Sequence, residues 1–575
     1  MIDIQSASVP VEYIRTTRGS GLSRRWFALS AVALGTSYGL LPLYSSNQNH
    51  HFLIGLARAG EGLLADDWLS STADPFPVFS AYITLVHRFL GDWVHYVVYY
   101  ALFGAYAYGL MRIAEHVRPV AVDRLRATAE RLSLLAALCV LHNEVIGYLA
   151  GIDLARLPWW QMMHWGVAEQ EIFGHGAFQA SSFGMLLPLA IAVGLDGRRA
   201  AAALLASSVL LIHFSYALTA AALVGAFMYL ELEHSGGESR TSNPESRHPR
   251  RVTGALAVAG LALLPALPAA TAVVMRLGPT SRDVSTAAAS ILVPHLPQET
   301  IIAHWFGWKA TLQVLWMIVG LGLAAGTDLL PILAAPFAAG VALTLLQMAS
   351  GSPQLALMFP WRVSVLIVPI ATAVATRQII AIVADGASER RVRAIRAVSI
   401  AAVAVSVLIG AVRMTLHFAY FYGDRRLTQI TDRIVPERWR VDFARVLGSD
   451  ALPMMHFVRA TAQRGDLYVI PPELERFRTV SGAPALADLK SHPYKDVEVI
   501  EWRRRLDRTL EIYEGREGCA AVDRLAARYS VTHVVADRRL QMKMCNQWTR
   551  TYADAVFTVY RLGRTPDATL RFPAR

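Results

Sequence analysis

Charge is scarce in this chain. Asp, Glu, Lys and Arg make up 17% of its 575 residues, where a soluble globular protein carries about 25%. Charge is costly in hydrocarbon, so the deficit, with a hydrophobic fraction of 54%, points to lipid as the main solvent. Cysteine is nearly absent: there are 3, and no zinc spacing. No phosphate loop, dinucleotide fingerprint, nucleophile elbow or zincin motif occurs, so ATP-driven transport has no support. No internal repeat is found, which disfavours the transporters built from repeats. Acidic residues are outnumbered by basic ones, 44 to 55, for a net charge of +11. That excess clusters beside apolar runs, where it orients helices, and nucleic acid is excluded as a partner.

What is present is a series of apolar runs. A crossing helix needs roughly 20 apolar residues. Candidate spans lie at 26–46, 93–114, 132–150, 182–195, 200–212, 214–232, 252–275, 309–325, 330–349, 355–376 and 397–418. This predicts a polytopic α-helical membrane protein with about eleven transmembrane helices. The stretch 200–232 reads equally as one long helix. Arg15, Arg18, Arg24 and Arg25 precede the first run without a cleavage site, so residues 1–25 read as a cytoplasmic N-terminus before an uncleaved span. The segments 115–131, 196–199, 233–251 and 377–396 then fall inside and carry the arginine clusters, as the positive-inside rule requires. The Ser- and Pro-rich stretch 233–251 reads as a disordered cytoplasmic loop. Long loops at 47–92, 151–181 and 276–308 fall outside, with the tail from 419. In the first of them, "HHFLIGLARAGEGLL" and "PVFSAYITLVHRFLG" read as two surface helices joined by "ADDWLSSTADPF". The Ala- and Arg-rich composition suggests a bacterial source, and so an inner membrane with a periplasmic tail.

The tail, 419–575, changes character. "DLYVIPP" reads as a strand and 495–514 as a polar amphipathic helix. Residues 520–537 read as a helix running into a strand, and "AVFTVYRLG" as another strand. Together they make a C-terminal extracytoplasmic α/β domain. Cys519 and Cys545 both lie in it. An oxidising compartment would join them and a reducing one would leave two thiols; spacing does not decide. Cys139 lies in an apolar run.

Chemistry has four places to sit. Asp66 and Asp67, before Trp68 in the first outer loop, read either as turn and cap residues or as a carboxylate pair for proton transfer. The second loop concentrates Trp159, Trp160, His164, Trp165, Glu169, Glu171 and His175, which suits sugar stacking or an interfacial aromatic belt. Glu169 and His175 at a non-diagnostic spacing leave metal ligation open. A third set lies near helix ends at one level: His142, Asn143, Glu144, His213, Tyr216, Arg362, Arg413 and His417. Cations there would hold a phosphate, or snorkel. His295, Gln298, Glu299, His304, Trp305 and Lys309 would line a lipid-phosphate entry in the third loop.

This layout of a first span, an acidic outer loop with two surface helices, further spans and an external α/β domain resembles the GT-C superfamily of integral membrane glycosyltransferases. More narrowly, "NQNHHFLIGLARAGEGLLADDW" and "FRTVSGAPALADLKSHPYKDVEVIEWRRRL" resemble strings of an uncharacterised bacterial membrane-protein family of that architecture, and "LAARYSVTHVVAD" is similar to a segment frequent in such external domains. Within the second string the resemblance rests on Lys490, Pro493, Glu501, Trp502 and Arg505. The superfamily resemblance implies a glycosyl transfer from a polyprenyl-(pyro)phosphate donor to a glycan, lipid or protein acceptor in the cell envelope. It implies Asp67 as acid/base group, with Asp66 as the alternative. Arg362, Arg413, His213, His175, Glu169 and Trp165 are the expected substrate and phosphate contacts. A divalent metal, Mg²⁺ or Mn²⁺, stays open, since no second acidic motif can be placed. The alternatives are a non-catalytic scaffold of the same fold and a lipid-linked glycan or solute transporter.

Overall fold

The computed structural model describes residues 23–143, 163–234, 247–434, 449–514, 519–540, 545 and 547–563. Arg15, Arg18, Glu144, Trp159, Trp160 and most of the polar loop at 233–251 lie outside the described residues.

Every expected span contains helix. In chain order these are α1 (Arg24–Tyr38), α2 (Leu53–Ala59) and α3 (Pro77–Leu85) of the first loop, then α4 (Trp93–Val117), α5 (Arg124–Leu141), α6 (Leu186–Leu195), α7 (Arg199–Ser208) and α8 (Ala217–His234). After them come α9 (Arg247–Leu277), α10 (Arg282–His295), α11 (Trp308–Leu323), α12 (Leu329–Ser350), α13 (Ser364–Ala384) and α14 (Glu389–Tyr422). Among the described residues six helical stretches are long and apolar enough to cross a membrane, and three shorter apolar helices accompany them. The protein is therefore a helical membrane protein with a small C-terminal sheet. The run 26–46 is only half helix: Gly39 closes α1 in the left-handed region, which glycine enters at no steric cost. Residues 200–232 form two helices, broken by the turns around His213.

The core of the membrane domain is α1 packed on α4 and α14, with α13 seated on α4, α5 and α11. Among the described residues, basic segments on either side of the spans are tied to neighbouring helices. Arg377 is fully buried and donates to the carbonyls of Arg118 and Pro119 and to Glu130. Arg126 reaches the Ala387 carbonyl, and Arg199 pairs with Asp328. The 276–308 stretch is more ordered than a loop, since α10 occupies half of it and packs on a helix of the C-terminal domain. Of the two first-loop helices, only the second keeps an exposed apolar face. Val78 and Leu85 are exposed on it, and Phe89 and Leu90 just after it, while Leu53 and Leu56 of α2 are buried. Gly55 permits the contact, because a Cβ there would stand 2.6 Å from Ile83.

The C-terminal domain contains α15 (Leu452–Thr461), β1 (Tyr468–Val469), α16 (Asp496–Tyr513), α17 (Cys519–Tyr529), β2 (His533–Asp537), β3 (Thr549–Ala553) and β4 (Phe557–Arg561). The sheet order is β1-β2-β4-β3, with β1 parallel to β2 and the other pairs antiparallel. Apolar clusters fill both faces: Met454, Met455, Val458 and Phe477 on one, Val522, Leu525 and Trp548 on the other. β3 escapes a hydropathy reading because most of its residues are exposed. Cys519 and Cys545 are joined by a disulfide with Cα atoms 5.8 Å apart, tying α17 to the approach of β3. Replacing both by serine should remove about 3 kcal/mol from the unfolding free energy of this domain. Denaturant titration of the full-length protein and a gel shift on reduction would check it.

Candidate functional site

The membrane domain and the C-terminal domain meet along the two sequence strings singled out above. Gly62 and Gly482 pass so closely that a Cβ on Gly62 would lie 2.6 Å from the Gly482 carbonyl oxygen. Both glycines are left-handed, at φ +52° and +67°. The Leu63 N–H donates to that carbonyl at 2.7 Å. Thr479 donates to Asn49 at 2.6 Å, and the Ala73 N–H to Glu498 at 3.1 Å. The Arg505 guanidinium lies 4.1 Å from the Trp68 ring centre, so the Glu501–Arg505 pair on α16 also reaches the first loop.

Asp67 lies at the centre of this seam. Its Oδ2 accepts from Arg478 Nε at 2.7 Å and from the Ala485 N–H at 2.9 Å, and its Oδ1 accepts from the Leu69 N–H at 2.7 Å. Arg478 also pairs with Asp488 and donates to the Ala485 carbonyl. The two carboxylates raise the pKa of the guanidinium against the cost of burial. All three side chains are buried. Asp67 thus has no exposed oxygen to take a proton from an acceptor, which corrects its expected placement as an accessible acid/base group. Asp66 is exposed, with Arg464 3.9 Å away.

A second group of side chains gathers beside this anchor. Five histidine rings run in sequence: His213 to His51 at 6.0 Å, His51 to His50 at 5.5 Å, His50 to His492 at 5.3 Å and His492 to His295 at 5.7 Å. They come from the α7–α8 turn, the first loop, the C-terminal domain and the end of α10. Tyr494 stacks on His50 at 5.4 Å. Arg362 is reached through Ser215, whose Oγ lies 2.6 Å from His213 Nδ1 and accepts from Arg362 Nε at 3.3 Å. Arg362 also donates to the Glu171 carbonyl at 3.4 Å and lies 5.5 Å from the Tyr216 ring centre. Lys490 completes the group, and among the described residues neither cation has a carboxylate within ion-pair distance. Burial lowers His50 and His51 well below the usual imidazole range, with positive neighbours adding to it, and brings His492 to about 4. His295 is lowered for the same first reason. Burial raises the Glu475 carboxyl, against the pull of Lys490.

Two features mark this region as more than packing. Buried polar atoms without a partner include His51 Nδ1, Trp165 Nε1 and Gln170 Oε1. Unpaired buried polar atoms are costly, so each asks for a ligand or a water. Non-glycine residues in the left-handed region include Tyr44, Ser46, Ala168, Glu169, His175 and Phe359, in segments leading into the first loop, the second loop and the Arg362 turn. Such strain collects at binding sites.

The expected residues therefore divide. His213 and Arg362 lie in the group, while the Trp165 ring neighbours His164 and His175 of its own loop. His175 contacts Trp165 at 5.0 Å, but its side chain is largely exposed, and Glu169 is exposed. Arg413 is turned to the end of α1, where it donates to the Tyr38 carbonyl at 2.9 Å. No group of three or more His, Cys, Asp or Glu side chains is placed to hold a metal ion among the described residues. His50, His51, His492 and Tyr494 were not singled out as site residues from sequence. The adjacent pair in "NQNHH" and the "SHPY" turn were the available signals.

A family model described as a domain of unknown function, DUF6798, matches residues 449–509. That segment supplies the tail's half of the seam, from α15 through Arg478, Lys490 and His492 into α16. No curated protein matches the chain.

Breaking the anchor leaves a buried charge unbalanced. Asp67→Ala should cost about 3 kcal/mol or more, measured as lost hydrogen-exchange protection over 478–488. The depressed histidines set a pH window. Above about pH 6.5 they are neutral whether folded or unfolded, so their packing carries no protonation penalty. Between there and about pH 4 the unfolded chain takes up protons that the folded seam resists, so stability falls with pH. Exchange protection of 488–495 should drop between pH 7.5 and 5.

Proposed function

We propose that the protein is a membrane glycosyltransferase of GT-C layout, moving a sugar from a polyprenyl-(pyro)phosphate carrier to an envelope acceptor. In this reading about eleven helices cross a bacterial inner membrane. The N-terminus is cytoplasmic, and the seam and C-terminal domain lie on the periplasmic side. The observation that carries it is the pair of cations at the seam, Arg362 and Lys490, whose charges both bear on His51 and which have no carboxylate within ion-pair distance among the described residues. A buried-side guanidinium and an ammonium suit a phosphate leaving group, whose charge grows as the glycosyl bond breaks. Trp165, Gln170 and Tyr494 offer ring faces and amide groups for a sugar. The phosphate site is assigned to Arg362 and Lys490 rather than to Arg413, and Asp67 serves as the anchor beneath it.

One observation favours a second reading, a non-catalytic envelope-assembly scaffold: the closure of Asp67, the residue to which the resemblance gives the acid/base role. Lipid-phosphate binding separates the two. With full-length protein in nanodiscs and farnesyl phosphate as probe, Arg362→Ala and Lys490→Ala should each weaken binding at least about tenfold, while Arg413→Ala should not. Absence of farnesyl phosphate binding to the wild-type protein would leave the scaffold reading.

A further inference from the structure

The mechanism just proposed uses Arg362 and Lys490 but gives no task to the histidine on which both charges bear. His51 is buried, and its Nδ1 has no hydrogen-bond partner. Its ring is held edge-on by Phe76 at 4.9 Å and faces His213 at 6.0 Å and His50 at 5.5 Å. The groups whose charge bears most on it come from each element packed around it. They are His213 from the α7–α8 turn, Lys490 and His492 from the C-terminal domain, and Arg362 from the turn before α13. All are cationic or neutral. The nearby carboxylates act one side chain further out, Glu171 on Tyr216, Glu299 on Tyr494 and Glu475 beside Lys490. An empty site therefore holds a positive field around an imidazole that cannot afford a charge of its own. An anion placed among the same groups reverses that field, since opposite charge nearby favours the protonated ring.

We propose that His51 is the proton-accepting part of the anion site: a phosphate-class anion seated between Arg362 and Lys490 is bound together with one proton taken up by His51. This rests on the phosphate-site reading above and adds a coupling to it. The anion supplies the countercharge that His51 lacks. The proton supplies a third donor, at Nδ1 or through Ser215 and His213. Binding is then tighter at lower pH, by about tenfold per pH unit for one coupled proton. The carrier phosphate, once freed of its sugar, would leave together with that proton.

Isothermal titration of the full-length protein in nanodiscs tests the coupling, with inorganic sulfate and farnesyl phosphate as probes. Each is titrated in two buffers of different ionisation enthalpy between pH 6.5 and 8.5. Sulfate does not titrate in this range, so any proton counted with it belongs to the protein. The expected result is about one proton taken up per anion, lost in His51→Asn and His51→Gln and kept in the exposed control His456→Asn. If farnesyl phosphate binds and sulfate does not, the ligand is a lipid carrier. The proton is then counted as the difference between wild type and His51→Asn, and a difference near one supports the coupling. Binding without proton uptake in the wild type overturns the coupling and leaves the anion site standing, and this measurement decides even if the variants fail to fold. Uptake undiminished in folded His51→Asn and His51→Gln overturns the assignment to His51. Failure of both anions to bind the wild type overturns the site itself.

Discussion

The Arg478 guanidinium holds two carboxylates from opposite sides of the domain boundary, Asp67 from the first loop and Asp488 from its own domain. Burying three charges is unfavourable unless each lone pair and each N–H is used. Here the surplus negative charge is met by backbone: Leu69 and Ala485 donate to Asp67, Lys490 and Ser491 to Asp488. The same bonds fix the course of the chain from 485 to 491. Lys490 and His492 therefore stand where they do because Asp488 is held, and Asp488 is held because Arg478 is shared. The position of the tail's half of the site follows from this one cation.

That dependence explains how the acidic turn and the basic site come to lie side by side without neutralising each other. Asp67 is saturated by donors and cannot serve as counterion to Lys490. Arg362 is engaged by neutral acceptors, the Ser215 hydroxyl and the Glu171 carbonyl, so its charge is not cancelled by a carboxylate. The left-handed turns at Ala168, Glu169 and Phe359 hold the neighbouring loops in conformations that ordinary side chains resist, and only the surrounding packing maintains them.

The membrane domain was legible because hydropathy and charge are local signals: each run of apolar residues contains helix, and the basic segments 115–131 and 377–396 came together. The α/β tail was legible for the same reason at 468–469, 496–513 and 533–537, where periodicity and burial agree. The site was legible only in part. Arg362 and His213 stand out as polar groups at apolar helix ends. The role of Asp67 could not be read, because its partner lies 411 residues away in sequence and nothing local to "ADDW" encodes it. The histidine series was hidden for the same reason, since its members come from four separate segments and none has a telling neighbour beyond the His50–His51 pair. The two strings that resemble one narrow family proved to be the two that touch, a pairing that appears only once the chain is folded.

The last helix of the membrane domain, α14, has 34 residues and so runs for about 51 Å. A bilayer's hydrocarbon core is about 30 Å thick, so the rod is longer than the core by several turns, about two of them in the basic stretch 389–396 and about one at the tail end, 419–422. Being one continuous helix it tilts as a whole, so a change in membrane thickness that tilts it moves Tyr420, Phe421 and Tyr422 at its last turn as well. Arg476 donates to the Phe421 carbonyl and lies over its ring at 3.4 Å, two residues from Arg478, so a tilt of the helix reaches the Arg478 cluster. The lipid around the protein thereby gains a mechanical route to the seam's tightness, without touching any residue in it.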